Sequence, residues 1–203
     1  PVDDDGYLKI DILDEIINEK TRIVAVTHIS NVLGIINPVK EIIEKCHSRG
    51  IPVLVDGAQG IVHCTVDVRN IDCDFYVFSG HKMYAATGTG VLYAKKKWLD
   101  TMPPYMGGGE MVGTVTFKET TYAPLPMKYE AGTQNFASAA TLKQAIELVK
   151  LLTDNNLVKY NVKHLYVPYM VSDNKDGFEV ANGNILVYAN SSGTGVKCSA
   201  SNE

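Results

Sequence analysis

The 203-residue sequence has no apolar run that approaches the roughly 18 residues needed to cross a bilayer. Its first residues, PVDDDGYLK, lack the basic and apolar regions of a signal peptide. A basic stripe is also missing, since 19 Lys and Arg stand against 23 Asp and Glu, for a formal charge of −4. Nucleic-acid binding needs clustered cations that neutralise phosphates. We therefore expect neither a membrane protein nor a nucleic-acid-binding protein.

Cysteine is scarce and shows no pattern. Cys46, Cys64, Cys73 and Cys198 form no CxxC pair and no regular framework. Scattered thiols of this kind are typical of reduced proteins. We expect a cytoplasmic protein without disulfides and without a metal site, in which the first three cysteines are buried as small apolar side chains.

The first 100 residues alternate helical and strand patterns, which indicates an α/β sheet with crossover helices. RIVAVT at 22–27, PVLV at 52–55 and CDFYVF at 73–78 are predicted as strands, and GVLYA at 90–94 as an antiparallel return. Between the first two strands we predict a helix that Asn37 caps and Gly50 ends.

The rest of the sequence divides into three parts. Residues 101–136 are rich in proline and glycine and are predicted as an extended loop with short strands. A loop of this length is usually functional or packed on a partner. Apolar spacing predicts a helix over 138–152, and beyond residue 155 only one possible strand, 185–188, is indicated.

Polar side chains cluster where three of the predicted strands end. In an open α/β sheet, ligands bind outside the carboxyl ends of the strands, because loops vary there and helix N-termini point inward. We therefore expect a binding site at this edge. The residues concerned are Thr27, His28, Ser30 and Asn31 after the first strand, Asp56 and Gln59 after the second, and Ser79, His81 and Lys82 after the third.

Lys82 and Asp56 indicate what such a site would bind. A desolvated lysine amine forms Schiff bases with carbonyls, including the aldehyde of pyridoxal phosphate (PLP). That cofactor withdraws electrons only while its ring nitrogen is protonated, and a neighbouring carboxylate keeps the proton in place. The alternatives are an ordinary lysine whose amine reaches water and a carboxylate that caps a turn. His28 is expected to line the site or to bond a backbone group.

Six stretches carry a family resemblance: TRIVAVTHISNVLGIINPVKEI, GIPVLVDGAQG, VDVRNIDCDFYVFSGHKMY, ATGTGVLYAKK, MPPYMGGGEM and YEAGTQN. Together, over about residues 1–152, they resemble the SufS-like (group II) cysteine desulfurases, which include selenocysteine lyases. These enzymes belong to the class V aminotransferase family of PLP enzymes. The resemblance implies the large domain of PLP fold type I, a mostly parallel sheet with flanking helices.

The resemblance also implies roles for individual residues. Pyridoxal 5'-phosphate would be bound covalently as an aldimine at Lys82, the one catalytic residue that the chain would supply. The other implied roles are Asp56 at the pyridine nitrogen, Gln59 at the ring hydroxyl, Ser79 and His81 at the phosphate, Asn31 at the substrate carboxylate, and Thr133 at the phosphate of the neighbouring subunit.

For the chain as a whole, the resemblance implies an incomplete enzyme. Residues 1–152 would be part of the PLP-binding large domain, with an interface loop at about 101–136 in a homodimer, and 153–203 a partial small domain. The activity implied is conversion of L-cysteine to L-alanine with persulfide transfer to a sulfur-acceptor protein for iron–sulfur cluster assembly. Cys198, in GVKCSASNE, does not match the family's catalytic loop, so the isolated chain is expected to be inactive.

Three differences from the family's sequence pattern and two alternative functions complete these expectations. Ala85-Ala86 replaces Gly-Pro after the lysine, Gln134 replaces a proline and is expected to loosen the arm that carries Thr133, and Lys128 replaces a common arginine. One alternative is another class V enzyme, such as a selenocysteine lyase acting on L-selenocysteine. The other is a truncated product or interaction subunit without catalysis.

Overall fold

A four-stranded sheet forms the centre of the computed structural model, which describes residues 1–154, 186–189 and 196–199. The strand order is β1 (Val24–Thr27), β2 (Val53–Asp56), β3 (Phe75–Ser79) and β4 (Gly90–Ala94). The first three strands are parallel and β4 returns antiparallel to β3. The predicted α/β class and antiparallel return are confirmed, with the bounds of β4 as predicted and those of the first three strands shifted by one or two residues.

Helix α2 (Val39–His47) covers one face of the sheet, and the hydrophobic core lies between the helix and the strands. Its Ile42, Ile43 and Cys46 pack against Val53 and Val55 of β2, all of them almost fully buried. The predicted cap is wrong, because the N-cap position is taken by Pro38, which has no side-chain hydrogen-bonding group. Asn37 lies one residue earlier and donates through its Nδ2 to the carbonyl of Thr27 at 2.8 Å. Asn37 therefore ties α2 to the end of β1 instead.

The long segment after β4 has the predicted extended character. It contains a hairpin of β5 (Val112–Val115) and β6 (Thr120–Tyr122), followed by α6 (Phe136–Asp154), two residues longer at each end than predicted. A further strand pair, β7 (Leu186–Ala189) and β8 (Val196–Ser199), includes the strand predicted at 185–188. The remainder of the predicted small-domain segment, 153–203, lies outside the described residues.

Four short helices and two 3-10 turns complete the described part of the chain. Within that part, no helix is both long and apolar enough to cross a membrane. The remaining bounds are α1 (Leu13–Ile16), α3 (Gly60–His63), α4 (Val68–Ile71), α5 (Lys96–Thr101), and 3-10 turns at Gly80–Met83 and Met127–Tyr129.

Candidate functional site

Strand register brings three of the predicted polar residues to one edge and one face of the sheet. Thr27 pairs with Asp56, and Asp56 pairs with Val77, two residues before Ser79. Because successive side chains in a strand point to opposite faces, Thr27, Asp56 and Ser79 share a face. It is the face opposite to the core side of β2, where Val55 is fully buried.

Asp56 begins a tight loop over residues 56–60, which we call the carboxylate loop. The exposed Asp56 carboxylate accepts a hydrogen bond from the Ala58 N–H at 2.9 Å through its Oδ1 atom, which orients the side chain. The Gly57 N–H donates to the carbonyl of Val77 at 2.8 Å, so the ladder to β3 continues one residue beyond β2. Gln59 directly precedes α3 and makes no side-chain cap to it.

Lys82 lies in the 3-10 turn Gly80–Met83, which we call the lysine turn. Its side chain is exposed, and within residues 1–154 its amine has no hydrogen-bond or ion-pair partner. The turn is fixed at its start by the Gly80 N–H, which donates to the Thr89 carbonyl at 2.8 Å. Helix α3, which begins at Gly60, the last residue of the carboxylate loop, packs against the lysine turn.

The turn after the lysine is closed despite the departure at Ala85-Ala86. The Ala85 N–H donates to the Gly80 carbonyl at 3.0 Å, and the Ala86 N–H donates to Oγ1 of Thr141 at 2.9 Å. A proline at position 86 has no N–H and could not make the second bond. This departure therefore gives the lysine turn an additional tie to α6.

His28 has a different partner from the one predicted. It is 7% exposed, and its Nδ1 lies 3.0 Å from the hydroxyl of Tyr76. Burial lowers the pKa of His28, so the ring is neutral near pH 7. Of the two expectations for His28, the bond from its ring to a backbone group is wrong, because the ring bonds the Tyr76 side chain instead; that it lines the site stays a prediction. The sequence does not single out Tyr76 as a polar partner, because it lies within the predicted strand CDFYVF.

Thr133 lies in a second location, apart from the carboxylate loop. It lines a cleft of about 570 Å³ with residues 88–90, Tyr105 and the start of α6, whereas Asp56 and Lys82 do not line this cleft. The Gln134 amide donates to the carbonyl of Glu130 at 3.1 Å, which ties the arm instead of loosening it. Asn31 is exposed in the turn after β1.

Lys128, the third departure, supports the segment before this arm. Its amine donates to the carbonyls of Leu99 and Asp100, at 3.0 and 3.2 Å, near the end of α5. A cation near the C-terminus of a helix satisfies carbonyls that have no partner within the helix. The lysine therefore acts here as a donor to backbone carbonyls.

The cysteines within residues 1–154 are not activated thiols. Cys46 and Cys73 are fully buried and Cys64 is half-buried. Burial raises the pKa of all three, that of Cys73 to about 11, so each is a neutral thiol near pH 7. Their predicted role as buried apolar side chains is confirmed for Cys46 and Cys73, and the side chain of Cys198 lies outside the described residues.

At the opposite edge of the sheet, Asp74 forms a buried polar cluster. Its carboxylate accepts hydrogen bonds from His47 and Trp98, both at 2.7 Å, and from the Val53 N–H at 3.0 Å. Burial alone would raise the pKa of Asp74, but these bonds and the nearby Lys95 ammonium outweigh it and hold the pKa at about 2.

Within the described residues, no group of three or more His, Cys, Asp or Glu could hold a metal ion.

Comparison with known proteins gives a consistent set of relatives. The family model for aminotransferase class-V matches residues 1–182. Over 167 residues, the chain is 48% identical to a cysteine desulfurase of Escherichia coli O7:K1 and 49% identical to one of Shigella sonnei. These alignments cover 81% of this chain but 41% of each relative, so the chain spans less than half the length of the curated proteins it matches.

Solved structures agree with these relatives. The cysteine desulfurase CsdA of Escherichia coli matches with a TM-score of 0.70 and 42% identity, over 80% of this chain and 39% of that protein. A cysteine desulfurase of Thermococcus onnurineus matches with a TM-score of 0.70 and 33% identity, over 75% and 38%. The chain and these enzymes share the same α/β architecture over the region compared.

Proposed function

The chain belongs to the class V aminotransferase family and has the large-domain fold of fold-type I PLP enzymes, and on this premise we propose that it is the cofactor-binding part of a cysteine desulfurase. The observation that supports this proposal is the common edge of the sheet. There, the Asp56 carboxylate and Ser79 share a face, and α3 packs against the turn that carries Lys82.

The side chains at this edge suit pyridoxal 5'-phosphate. The amine matches the aldehyde, the carboxylate matches the protonated ring nitrogen, the hydroxyl and the imidazole match the phosphate, and the amide matches the ring hydroxyl. Within residues 1–154, the side chains of Lys82, His81 and Gln59 have no hydrogen-bond partner, and Lys82 and His81 are exposed. These side chains are therefore available to a ligand, and the residues present fit the cofactor.

Each residue would then have a defined role. Lys82 would hold the cofactor covalently, and Asp56 would accept the hydrogen bond of its ring N–H. Gln59 would donate to the ring hydroxyl oxygen, while Ser79 and His81 would bind the phosphate. Once bound, pyridoxal phosphate supplies an electron sink for the electrons of the substrate α-carbon. Lys82 would also move the proton at that carbon as a general base.

The proposed reaction is L-cysteine plus an enzyme thiol giving L-alanine plus an enzyme persulfide. The attacking thiolate sulfur forms an S–S bond to the substrate sulfur, the Cβ–S bond breaks with its electron pair kept by the carbon skeleton, and one proton, equal in the balance to that of the enzyme thiol, adds to Cβ. Asn31 would bind the substrate carboxylate. Cys46, Cys64 and Cys73 are neutral and at least half-buried, so we infer that the sulfur-accepting thiol is outside residues 1–154. The persulfide sulfur would then be transferred to a sulfur-acceptor protein for iron–sulfur cluster assembly.

The long loop at 101–136 suits the proposed homodimer. Tyr105 and Phe117 are fully exposed on it, and single apolar side chains of this size bury well at an interface. Thr133, at the end of this loop, would contact the phosphate bound by the partner subunit. The arm and the carboxylate loop would then belong to two different sites, in keeping with the separate cleft in which Thr133 lies.

Reductive trapping tests the cofactor assignment. The chain is incubated with PLP and reduced with borohydride, and the labelled peptide is identified by mass spectrometry. We expect label at Lys82, its loss in Lys82→Arg, and no change in Lys118→Arg, which alters an exposed hairpin lysine in the same way. Label spread over surface lysines, or no label, would contradict the proposal and favour a non-catalytic product. Assays with L-cysteine, L-selenocysteine and cysteine sulfinate on a chain that carries the acceptor thiol would then define the substrate.

A further inference from the structure

Tyr76 and His28 form a buried pair that none of the proposed roles uses. Tyr76, in β3, is 1% exposed and is the largest fully buried side chain of the described residues. Its ring meets the His28 ring edge to face, with centroids 6.0 Å apart, and its hydroxyl lies 3.0 Å from His28 Nδ1. Two polar rings are therefore joined by one hydrogen bond inside the domain.

The carboxylate loop rests directly on this pair. A Cβ atom added at Gly57 would lie 1.9 Å from Cε1 of Tyr76. One added at Gly60 would lie 2.5 Å from His28 Nδ1 and 2.7 Å from the Tyr76 hydroxyl. Positions 57 and 60 of the loop therefore need glycine, because the backbone approaches the two rings closely enough there to exclude any side chain.

Backbone hydrogen bonds tie the same two segments to the start of the loop, at Asp56 and Gly57. The His28 N–H donates to the Asp56 carbonyl at 2.8 Å, and the Gly57 N–H donates to the carbonyl of Val77, the residue after Tyr76, at 2.8 Å. The loop is thus held from both neighbouring strands at its start. The ring pair below it determines how far residues 57–60 can settle toward the core.

Both members of the pair are uncharged near pH 7. Burial lowers the pKa of the His28 imidazole and raises the pKa of the Tyr76 phenol. A neutral phenol and a neutral imidazole make a single, directional hydrogen bond without the cost of burying a charge. The pair is therefore suited to fixing a backbone position and unsuited to transferring a proton at the site.

We propose that Tyr76 and His28 are positioning residues, which support the carboxylate loop from below and so fix the direction in which the Asp56 carboxylate and the Gln59 amide face the ligand. The consequence for the cofactor rests on the proposed function. The support of the loop does not rest on the proposed function, because the contacts that provide it are present in the chain without cofactor.

The first test uses the chain without cofactor. Tyr76→Phe and His28→Leu each delete the hydrogen bond, whereas His28→Asn keeps an acceptor near the position of Nδ1. The matched control is Tyr93→Phe, because Tyr93 lies on β4, pairs with Tyr76 of β3 and borders the same core. Amide hydrogen exchange is followed at residues 57–60 and, as a reference, across α2.

We expect exchange at residues 57–60 to become about fivefold faster in Tyr76→Phe and in His28→Leu, the factor that the net loss of one neutral hydrogen bond gives. The double variant should be no faster than either single variant, and His28→Asn should recover part of the protection. The Ala58 amide shift, which reports the bond to Asp56 Oδ1, should move in the same variants. Unchanged exchange at the loop, or an equal increase across α2, would overturn the proposal.

The second test distinguishes positioning from a purely structural role. The nitrogen-15 chemical shift of bound PLP labelled at its ring nitrogen is titrated against pH, because a well-placed Asp56 carboxylate retains the ring proton to higher pH. Tyr76→Phe should lower the midpoint by about 0.5 pH unit, equal to a threefold weaker stabilisation, whereas Tyr93→Phe should leave it unchanged. In an Asp56→Asn background, Tyr76→Phe should have no further effect.

The outcomes separate the two proposals. If the chain takes up no PLP, the proposed function fails, and the exchange and the Ala58 shift still decide whether the pair orients the loop. If PLP binds and the midpoint stays the same while loop exchange rises, the pair is structural only and the positioning proposal is overturned.

Discussion

The two edges of the central sheet use the same kind of side chain in opposite ways. Asp74, at the amino edge just before β3, is fully buried and receives three short hydrogen bonds. Asp56, at the carboxyl edge, is exposed and receives one hydrogen bond, from the N–H of Ala58. A carboxylate whose partners are all within the chain stabilises the fold, whereas one that faces outward is available to a ligand.

The sharpest way to break this comparison is to delete each carboxylate. Asp74→Ala should lower the free energy of unfolding by about 3–5 kcal/mol, because it leaves the buried Val53 N–H and the partly buried donors of His47 and Trp98 without their acceptor. Asp56→Ala should cost less than about 1 kcal/mol but weaken PLP binding about tenfold or more. Urea denaturation and PLP titration measure the two effects.

Equal destabilisation by the two substitutions would contradict the division between the edges. If Asp56→Ala unfolded the chain, its carboxylate would be structural, and the proposed contact with the cofactor ring would lose its basis. A normal PLP affinity in Asp56→Ala would have the same consequence for the cofactor assignment alone.

The carboxyl edge nevertheless contains one position where packing is as tight as at the amino edge. Gly57→Ala should cost about 3 kcal/mol, since the new methyl group would overlap the Tyr76 ring and force the loop away from it. Gly107→Ala is a suitable control, because a Cβ there meets nothing within 4 Å. Thermal unfolding of the two variants decides the matter, and equal melting temperatures would show that the carboxylate loop moves freely.

Acid should affect the amino edge in a defined pH range. The pKa of Asp74 is held at about 2 in the folded chain, against 3.8 for the free side chain. A depressed pKa adds stability that is complete above about pH 4 and is lost as the pH falls toward about 2. The loss should amount to about 2 kcal/mol. Asp74→Asn should remove this part of the pH dependence, and urea titrations from pH 5 to about 2 would measure it.

Much of the sheet was predictable because its strands are short apolar runs that end in polar residues. PVLV followed by Asp56, and CDFYVF followed by Ser79, are patterns that a buried parallel strand and its carboxyl end produce. The common edge followed from topology. The roles at that edge came from the family resemblance and remain proposals.

What the sequence did not indicate are contacts between residues far apart in the chain. His28 and Tyr76 are 48 positions apart, and nothing in either local pattern shows that their polar atoms meet. The sequence predicts Asn37 as a helix cap, but the helix begins one residue later, after Pro38, and the Asn37 side chain bonds the carbonyl of Thr27, ten positions away. Such outcomes depend on the assembled fold and not on spacing.

The smallest effect concerns how the lysine turn is held. The Ala86 N–H donates to Oγ1 of Thr141, so Thr141→Val should leave this N–H without its acceptor and cost about 1 kcal/mol. Ala86→Pro removes the donor, and the two substitutions together should cost less than the sum of their separate effects, because each deletes the same bond. Urea denaturation of the double-mutant cycle measures this coupling. Strict additivity would mean that the bond contributes nothing, and the lysine turn would then be held by the Gly80 and Ala85 backbone bonds, as the rest of the carboxyl edge is held by its backbone.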